Sequence, residues 1–554
     1  MRTSSPDRIQ RLEEAGYWGR ETLCSLLTRQ ALERPDHLAA VDQFNKEELT
    51  HSAPLRLTFQ ELDVASDVLA LDLLGLGVRH GDRVMVQLPN IVELMACYFA
   101  ASKLGVVISP LPVQYGRYEI SSLASTLDPA WFIGAHKFRD QNLAENGTAA
   151  VATSHVLALD VDFGLKATGL SSQQQAELNQ YREEHPVDAN DIFSVCWTSG
   201  TTGTPKGVPR THNMWLASGR MTAVGSEYQQ GDLLLNPFPM VNMSALGGFL
   251  FPAVQHGCGV VLHHPLDVPV FLQQIQQENI TFTIAPPALL NKLAKEPELW
   301  RRFDFSHLRA IGSGSAPLAP DMIDVFEHDY GVAIYNIYGS NEGIALISSP
   351  TAIPDSRARA GLFPRSGCGL ENWRGELYES VESKVINPDD GRELSAPGDR
   401  GELCFSGPTV FDGYLGAGDD DVFTHDGFFR TGDLVDITGD GGEYYRIAGR
   451  LKDIINRGGM KISPSEIDAL LDGYPGLAEA AVCSYPDDEL GERVCVCVVP
   501  LPEEDVPTLD DLCKYLIDCG VAKFKLPERI QSVSALPRNP LGKILRHELS
   551  AKLV

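Results

Sequence analysis

Positive charge is what this 554-residue chain most plainly lacks. Lys and Arg number 46 against 74 Asp and Glu, a formal net charge of −28. Such a surface repels nucleic acid and anionic lipid, so neither is an expected partner. It also repels phosphorylated ligands at long range, so a site for one must work through local donors. Long apolar runs are missing too. The most apolar window, Leu94 to Val113, contains Lys103, Pro110 and Pro112, and reads as a buried helix running into a strand rather than a membrane span. The opening residues, MRTSSPDRIQRLEEAGYWGR, hold no apolar stretch of the kind a secretory leader needs. The eleven cysteines include no CxxC pair, and Cys495 and Cys497 sit two apart in a strand-like run. That pattern points to reduced thiols in a cytoplasmic protein rather than a disulfide framework or a zinc site. There is no repeat and no long low-complexity tract.

What is present is an alternation. Short apolar runs such as RVMVQLP (83–89), GVVISPL (105–111) and FSVCWTS (193–199) read as strands. Between them lie amphipathic, helix-like stretches, among them 58–78 and 267–280. Strands separated by helices predict an α/β fold with largely parallel sheets, and the length predicts more than one domain. The polar segment Asn45 to Pro54 reads as a surface excursion. After about residue 395 glycine, aspartate and β-formers dominate, which predicts hairpins or a small barrel. A new α+β pattern runs from Ile462, and the domain boundary is placed at Lys452, giving units 1–451 and 452–554.

The stretch TSGTTGTPKG (198–207) follows a strand-like run and precedes the helix-like HNMWLASGRM. The bland reading is a flexible linker. A linker has no need of the terminal Pro-Lys-Gly, and the composition suits a polyphosphate better. Gly200, Gly203 and Gly207 let the backbone approach a ligand closely. The hydroxyls of Thr198, Ser199, Thr201, Thr202 and Thr204 can donate to phosphate oxygens, and Lys206 adds a point charge. The spacing is not that of a P-loop, because the lysine falls three residues after Gly203 and a glycine follows it.

This decamer resembles the signature loop of the adenylate-forming superfamily, which includes acyl-CoA synthetases, aryl-acid ligases and luciferases. Further elements similar to that family's follow in order along nearly the whole chain. The first is YNIYGSNEG (335–343). The resemblance implies that Tyr338 stacks on adenine, that Asn336 bonds its amino group, and that Gly339 and Ser340 line the turn. It implies that Glu342 holds Mg²⁺, a role that suits a hard carboxylate oxygen. Asn341 stands where the family has threonine, and its amide can still donate to a phosphate. GSGSAPL (312–318) is similar to the segment lining adenine and the acyl pocket, placing Gly312, Gly314, Ser315 and Ala316 there. A tyrosine in a glycine-rich turn is by itself more often structural.

FRTGD (429–433) resembles the element whose aspartate, here Asp433, takes both ribose hydroxyls. In GRLKDIINRGGMKISPSEID (449–468) Arg450 is implied at the ribose or phosphate and Lys452 at a hinge. Gly458 and Gly459 fall at a pantetheine tunnel. LPRNPLGKILR (536–546) places the essential lysine at Lys543, with Pro537, Pro540 and Gly542 shaping its loop. Lys543, Glu342 and Lys206 are the implied catalytic residues. The implied fold is a large N-terminal domain of stacked mixed sheets with helices and a barrel-like part, then a small mobile α+β C-terminal domain.

The resemblance implies two half-reactions: carboxylate plus MgATP gives acyl-AMP and pyrophosphate, and a thiol then releases AMP. The stretches 12–41 and 86–105 resemble medium-chain or alicyclic acyl-CoA synthetases and also stand-alone 2,3-dihydroxybenzoate ligases. In NPFPMVNMSALGG (236–248) Asn242 stands where most relatives have histidine. Met243 stands where aryl-acid ligases place the asparagine that reads a ring hydroxyl, and a thioether cannot supply that donor. With Phe238, Met240 and Leu246 nearby, the pocket reads as apolar, with plain core packing as the competing reading. The chain ends eleven residues after Lys543, so free coenzyme A is the expected acceptor. A carrier-protein phosphopantetheine is the alternative, and an inert nucleotide-binding homologue a third. A monomer or homodimer is expected.

Overall fold

The computed structural model describes residues 3–151, 155–165, 169–198, 205–314, 318–367, 376–416, 422–457, 460–487, 489–502, 504–519, 521, 523–539 and 543–553. The chain divides into two compact units, Met1–Glu382 with Ser406–Gly427, and Ser383–Phe405 with Phe428–Val554. Lys452 lies within the second. The α/β architecture expected from the alternation is present.

Two mixed sheets organise the first unit. One has eight strands in the spatial order 344–348, 333–340, 310–314, 282–284, 233–236, 259–262, 38–41, 56–58. It is parallel at its centre and antiparallel at both edges. The other has six, in the order 155–159, 131–135, 83–87, 107–110, 192–198, 206–211, with only its last pair antiparallel. Apolar runs such as RVMVQ and LLLN are continuous rather than alternating because these strands are covered on both faces.

The helix Phe59–Leu76 starts at a capping box, in which Thr58 and Glu61 satisfy each other's backbone N–H groups. The helix Val92–Leu104 is buried at every position, as an all-round apolar sequence requires. It carries two charges inward, and both are paired. Lys103 reaches Asp63 at 2.7 Å and Asp67 at 2.6 Å. Glu93 meets Lys46 at 2.6 Å, and Lys46 also meets Asp42 at 2.8 Å. The segment 45–54 is a surface excursion only in part, with Glu47, Glu48, His51, Ala53 and Pro54 exposed and Lys46, Leu49 and Thr50 buried. It forms the short helix Lys46–Thr50, pinned by an ammonium that is fully buried. Polarity misled there because the charge answers Asp42, four residues upstream, and Glu93 of a distant buried helix.

The second unit holds antiparallel strands at 400–406, 429–438 and 444–450, the hairpins that the glycine- and aspartate-rich texture predicts. Its other sheet pairs Leu477–Asp487 with Gly491–Pro500 along their whole length, and adds 529–532 in parallel. Even-numbered valines of the 491–500 strand pack under the helices Pro464–Leu471 and Leu509–Asp518. Cys495 and Cys497 lie on the opposite face with Cys483 of the neighbouring strand. Among the described residues no helix is long and apolar enough to cross a membrane.

Replacing Lys46 with methionine leaves two buried carboxylates without their shared cation. We expect a loss of about 3–5 kcal/mol, the usual cost of breaking a buried pair, read as a lowered thermal midpoint of the first unit's transition. Burial and Asp42 push Glu93 up to about 7 from an ordinary 4.5. The native state therefore holds a proton that the unfolded chain has already released, and the site destabilises progressively as pH rises through that window. Glu93→Gln removes this effect, so its midpoint relative to the parent is expected to improve between pH 5 and pH 8.

Candidate active site

The two ends of the hydroxyl-rich stretch belong to neighbouring antiparallel strands. Ile192–Thr198 pairs with Lys206–Thr211, and Thr198 stands opposite Lys206. The helix read at 212–221 is present as His212–Gly225, capped by Thr211; the local reading lacked the strand before it, Lys206–Thr211. Its β character comes from adding a sixth strand to the sheet, which local pattern does not reveal. Ser199, Gly200, Thr201, Thr202, Gly203 and Thr204 lie outside the described residues.

Three groups converge beside this hairpin. The segment 406–416 is tied to it where the Leu415 N–H donates to the Gly207 carbonyl at 2.8 Å. It is tied to the next motif where the Phe411 N–H donates to the Glu342 carbonyl at 2.9 Å. Between these bonds Tyr414 donates its hydroxyl to Glu342 Oε1 at 2.7 Å, and its ring lies 4.6 Å from Lys206 Nζ. Tyr414 thus touches both an implied metal ligand and an implied phosphate-binding lysine. Glu342 is buried. Among the described residues no ammonium or guanidinium pairs with it directly, so this carboxylate fits a hard cation supplied from outside.

Arg210 fixes the corner that carries Glu342. Its guanidinium is fully buried, lies 4.4 Å from the Trp215 ring and donates to the Asn341 carbonyl at 3.0 Å. Burial lowers its pKa, against the opposing pull of Glu342. At Gly343 φ is +108°, and a Cβ there would fall 1.7 Å from the Thr409 carbonyl oxygen. Sequence reasoning missed both Arg210 and Tyr414. A signal existed for each: an arginine four residues after Lys206, and an aromatic following glycine in a polar loop.

Asn341 spans two parts of the site. Its Oδ1 accepts from the Met243 N–H at 2.8 Å, and its Nδ2 donates to the Trp197 carbonyl at 3.2 Å. One of its two amide hydrogens is therefore engaged with protein. Asn336 donates to the carbonyls of Arg359 and Ala360 at 3.1 and 2.9 Å, which leaves its own oxygen as the acceptor for an amino group. Ser340 Oγ is buried and has no partner among the described residues. Tyr338 is half-buried with Phe363 6.2 Å away, and Gly339 is exposed.

In the proposed acid region Asn242 caps a short helical turn, accepting from the Ala245 N–H at 3.4 Å. Met243 is half-buried, with its sulfur against Gly247, where a Cβ would stand only 2.4 Å from it. Gly312 makes room for Ile337 and Ile284, and at Gly314 a Cβ would fall 1.9 Å from the Ile337 carbonyl oxygen. Phe238 packs half-buried, whereas Met240 and Leu246 are fully buried in the main core. The packing reading therefore holds for those last two. Ser315 and Ala316 lie outside the described residues.

The remaining predicted residues belong to the second unit. Asp433 is buried and pairs with Arg450 Nε at 2.8 Å, the two standing opposite each other across a hairpin. Lys452 occupies a single 3₁₀ turn, Leu451–Asp453. Lys543 rides a loop closed by Asn539, whose N–H donates to the Lys543 carbonyl and whose Oδ1 accepts from the Lys543 N–H, both at 2.9 Å. Pro537 accepts from the Leu545 N–H at 2.8 Å. Surrounding protein and Arg450 push the Lys543 ammonium down to about 8, while Asp433 and Asp453 hold it up. Gly458, Gly459, Pro540 and Gly542 lie outside the described residues.

The α/β fold and the order of these motifs along the chain agree with two family matches. The profile described as "AMP-binding enzyme" matches residues 27–415, and "AMP-binding enzyme C-terminal domain" matches 466–543. The chain belongs to the AMP-binding enzyme family of adenylate-forming ligases. It is 31% identical over 559 residues to pyochelin synthase PchD of Pseudomonas aeruginosa, covering 98% of this chain and 95% of that one. It is 30% identical over 497 residues to a feruloyl-CoA synthase of Amycolatopsis, covering 89% and 93%. ATP-bound MatB from Rhodopseudomonas palustris superposes with a TM-score of 0.76 at 25% identity, over 96% and 99% of the chains.

Acetylation of Lys543 by acetic anhydride in the nucleotide-free protein, followed by peptide mass spectrometry, is expected to reach half its maximal rate near pH 8 instead of 10.5. Asp433→Asn removes a charge that retains the proton and moves the midpoint lower. Arg450→Gln moves it higher.

Proposed function

We propose that this protein is an acid–thiol ligase that converts an apolar carboxylic acid to its acyl-adenylate with MgATP and transfers the acyl group to coenzyme A. The observation that carries the reading is the contact of Tyr414 with both Glu342 and Lys206, which gathers a hard anionic ligand and a cation beside the hydroxyl-rich turn. In this reading Lys206 and the 198–204 hydroxyls hold the phosphates. Ser340 supplies a further hydroxyl, and Asn336 accepts from the adenine amino group beside Tyr338. Glu342 holds Mg²⁺, which on the nucleotide neutralises charge on the phosphate oxygens.

The acid's carboxylate must approach an anionic α-phosphate. A pair of unit charges at about 4 Å costs roughly 4 kcal/mol at an effective dielectric near 20, and an ammonium between them offsets a comparable amount. Lys543 is assigned that role, as preorganised electrostatic stabilisation. Asp433 takes the ribose hydroxyls, with Arg450 orienting it. We assign the hinge between adenylation and thioester formation to Lys452, with 1–451 and 452–554 as the parts that move, a change a few backbone torsions can absorb. Relatives include both a CoA synthase and an enzyme named as a pyochelin synthase. Met243, which cannot read a ring hydroxyl, favours an apolar acid.

Carboxylate-dependent ATP–pyrophosphate exchange over a panel of aliphatic, alicyclic and aromatic acids tests the reading, and silence across the panel refutes it. Lys543→Ala should lower exchange roughly 100- to 1,000-fold, the scale of removing one preorganised donor, while sparing thioester formation from supplied acyl-AMP. Equal loss in both steps would overturn the hinge assignment. Met243→Asn should lower exchange with aliphatic acids about tenfold relative to hydroxybenzoates. Thioester formed only on a phosphopantetheinylated carrier, and not on free coenzyme A, would replace the acceptor.

A further inference from the structure

Three thiols converge inside the second unit, well separated in sequence and role from the residues discussed above. Cys483 stands directly opposite Cys495 across the long antiparallel pair, and Cys497 is the next residue on the same face. Their sulfurs all lie within 4.8 Å of one another, and those of Cys483 and Cys497 are 3.9 Å apart. All three residues are essentially inaccessible, at 0–1% exposure. Leu536, Leu549 and Leu553 cover them, the last two brought by the C-terminal helix Arg546–Ala551 and the residues after it.

As mere apolar filler, three adjacent cysteines are an odd choice beside Val494, Val496 and Val498, which fill the other face of the same strand. The geometry points to a chelate. Metal–sulfur bonds of about 2.3 Å in a trigonal plane place sulfurs about 4.0 Å apart, close to the observed 3.9 Å, and the widest permitted separation needs to close by less than an ångström. Three thiolates with no imidazole or carboxylate among the described ligand atoms select a soft ion. We propose that Cys483, Cys495 and Cys497 form a three-coordinate thiolate site for a soft monovalent cation, Cu(I) being the fitting probe. On loading, each sulfur still protonated releases its proton to solvent and forms one metal–sulfur bond, with no change of oxidation state. The resulting local negative charge is met by the cationic side chains of Arg529 and Lys552.

The test is anaerobic titration of the reduced full-length protein with Cu(I) in the presence of bicinchoninate, with metal content measured after gel filtration. One equivalent retained against the chelator is expected. It should be lost in Cys497→Val and in Cys483→Val, which keep a buried apolar side chain of similar size, and kept in Cys519→Ser, since Cys519 is exposed. Circular dichroism and pyrophosphate exchange report whether each variant is folded. Should the valine variants fail to fold, X-ray absorption on the parent decides, three sulfur neighbours at about 2.3 Å being expected. Surrender of all copper to the chelator, retention in both valine variants, loss in Cys519→Ser, or nitrogen and oxygen neighbours in the absorption spectrum would each overturn the site. So would a mass two daltons low in the metal-free protein handled without oxidant, which would mark a disulfide in its place.

Discussion

The guanidinium of Arg210 is the constraint on which the first unit's site rests. It is fully buried, stacked against Trp215, and bonded to the carbonyls of Asn341 and Met214 and the hydroxyl of Ser218. Its Nε has no partner among the described residues. A charge held in the interior without a directly paired carboxylate is costly, and here it is retained at the corner that carries Glu342. That corner is fixed a second time from above, where the 406–416 segment bonds both Glu342 and Gly207 through its backbone. Tyr414 is set between these two bonds, so its position follows from main-chain pairing rather than from side-chain freedom.

In the second unit Asn539 and Lys543 are joined by two hydrogen bonds, while Arg450 and Asp433 act on the Lys543 ammonium in opposite senses. The same aspartate–arginine pair is locked across a hairpin, so the electrostatic surroundings of Lys543 are set by sheet register.

Much of this was legible in the sequence, and the limits have physical causes. The helices at 59–76, 92–104 and 268–277 and the strands at 83–87 and 107–110 followed from periodicity, because packing there agrees with local pattern. The family was legible through short motifs at 198–207, 335–343 and 536–546, and the two family matches span 27–415 and 466–543. Strand Lys206–Thr211 was not, because its pairing partner, not its composition, makes it extended. Lys46 was taken for surface because one of its two acids, Glu93, lies far along the chain on the buried helix. Tyr414 and Arg210 escaped for a related reason: each acts through residues more than seventy positions away. The thiol cluster escaped because two of its members share a strand while the third reaches them only through register.

The glycines at 314 and 343 carry a consequence for how such a protein can change over generations. A methyl group at either position would sit inside the electron cloud of a carbonyl oxygen, 1.9 and 1.7 Å away, and no rotamer adjustment relieves a clash with main chain. These two places are closed to drift, whereas Met243 and Asn242, a few ångströms of side chain on a short turn, are open to it. Sequence change is thereby channelled into the turn and away from the backbone at 314 and 343.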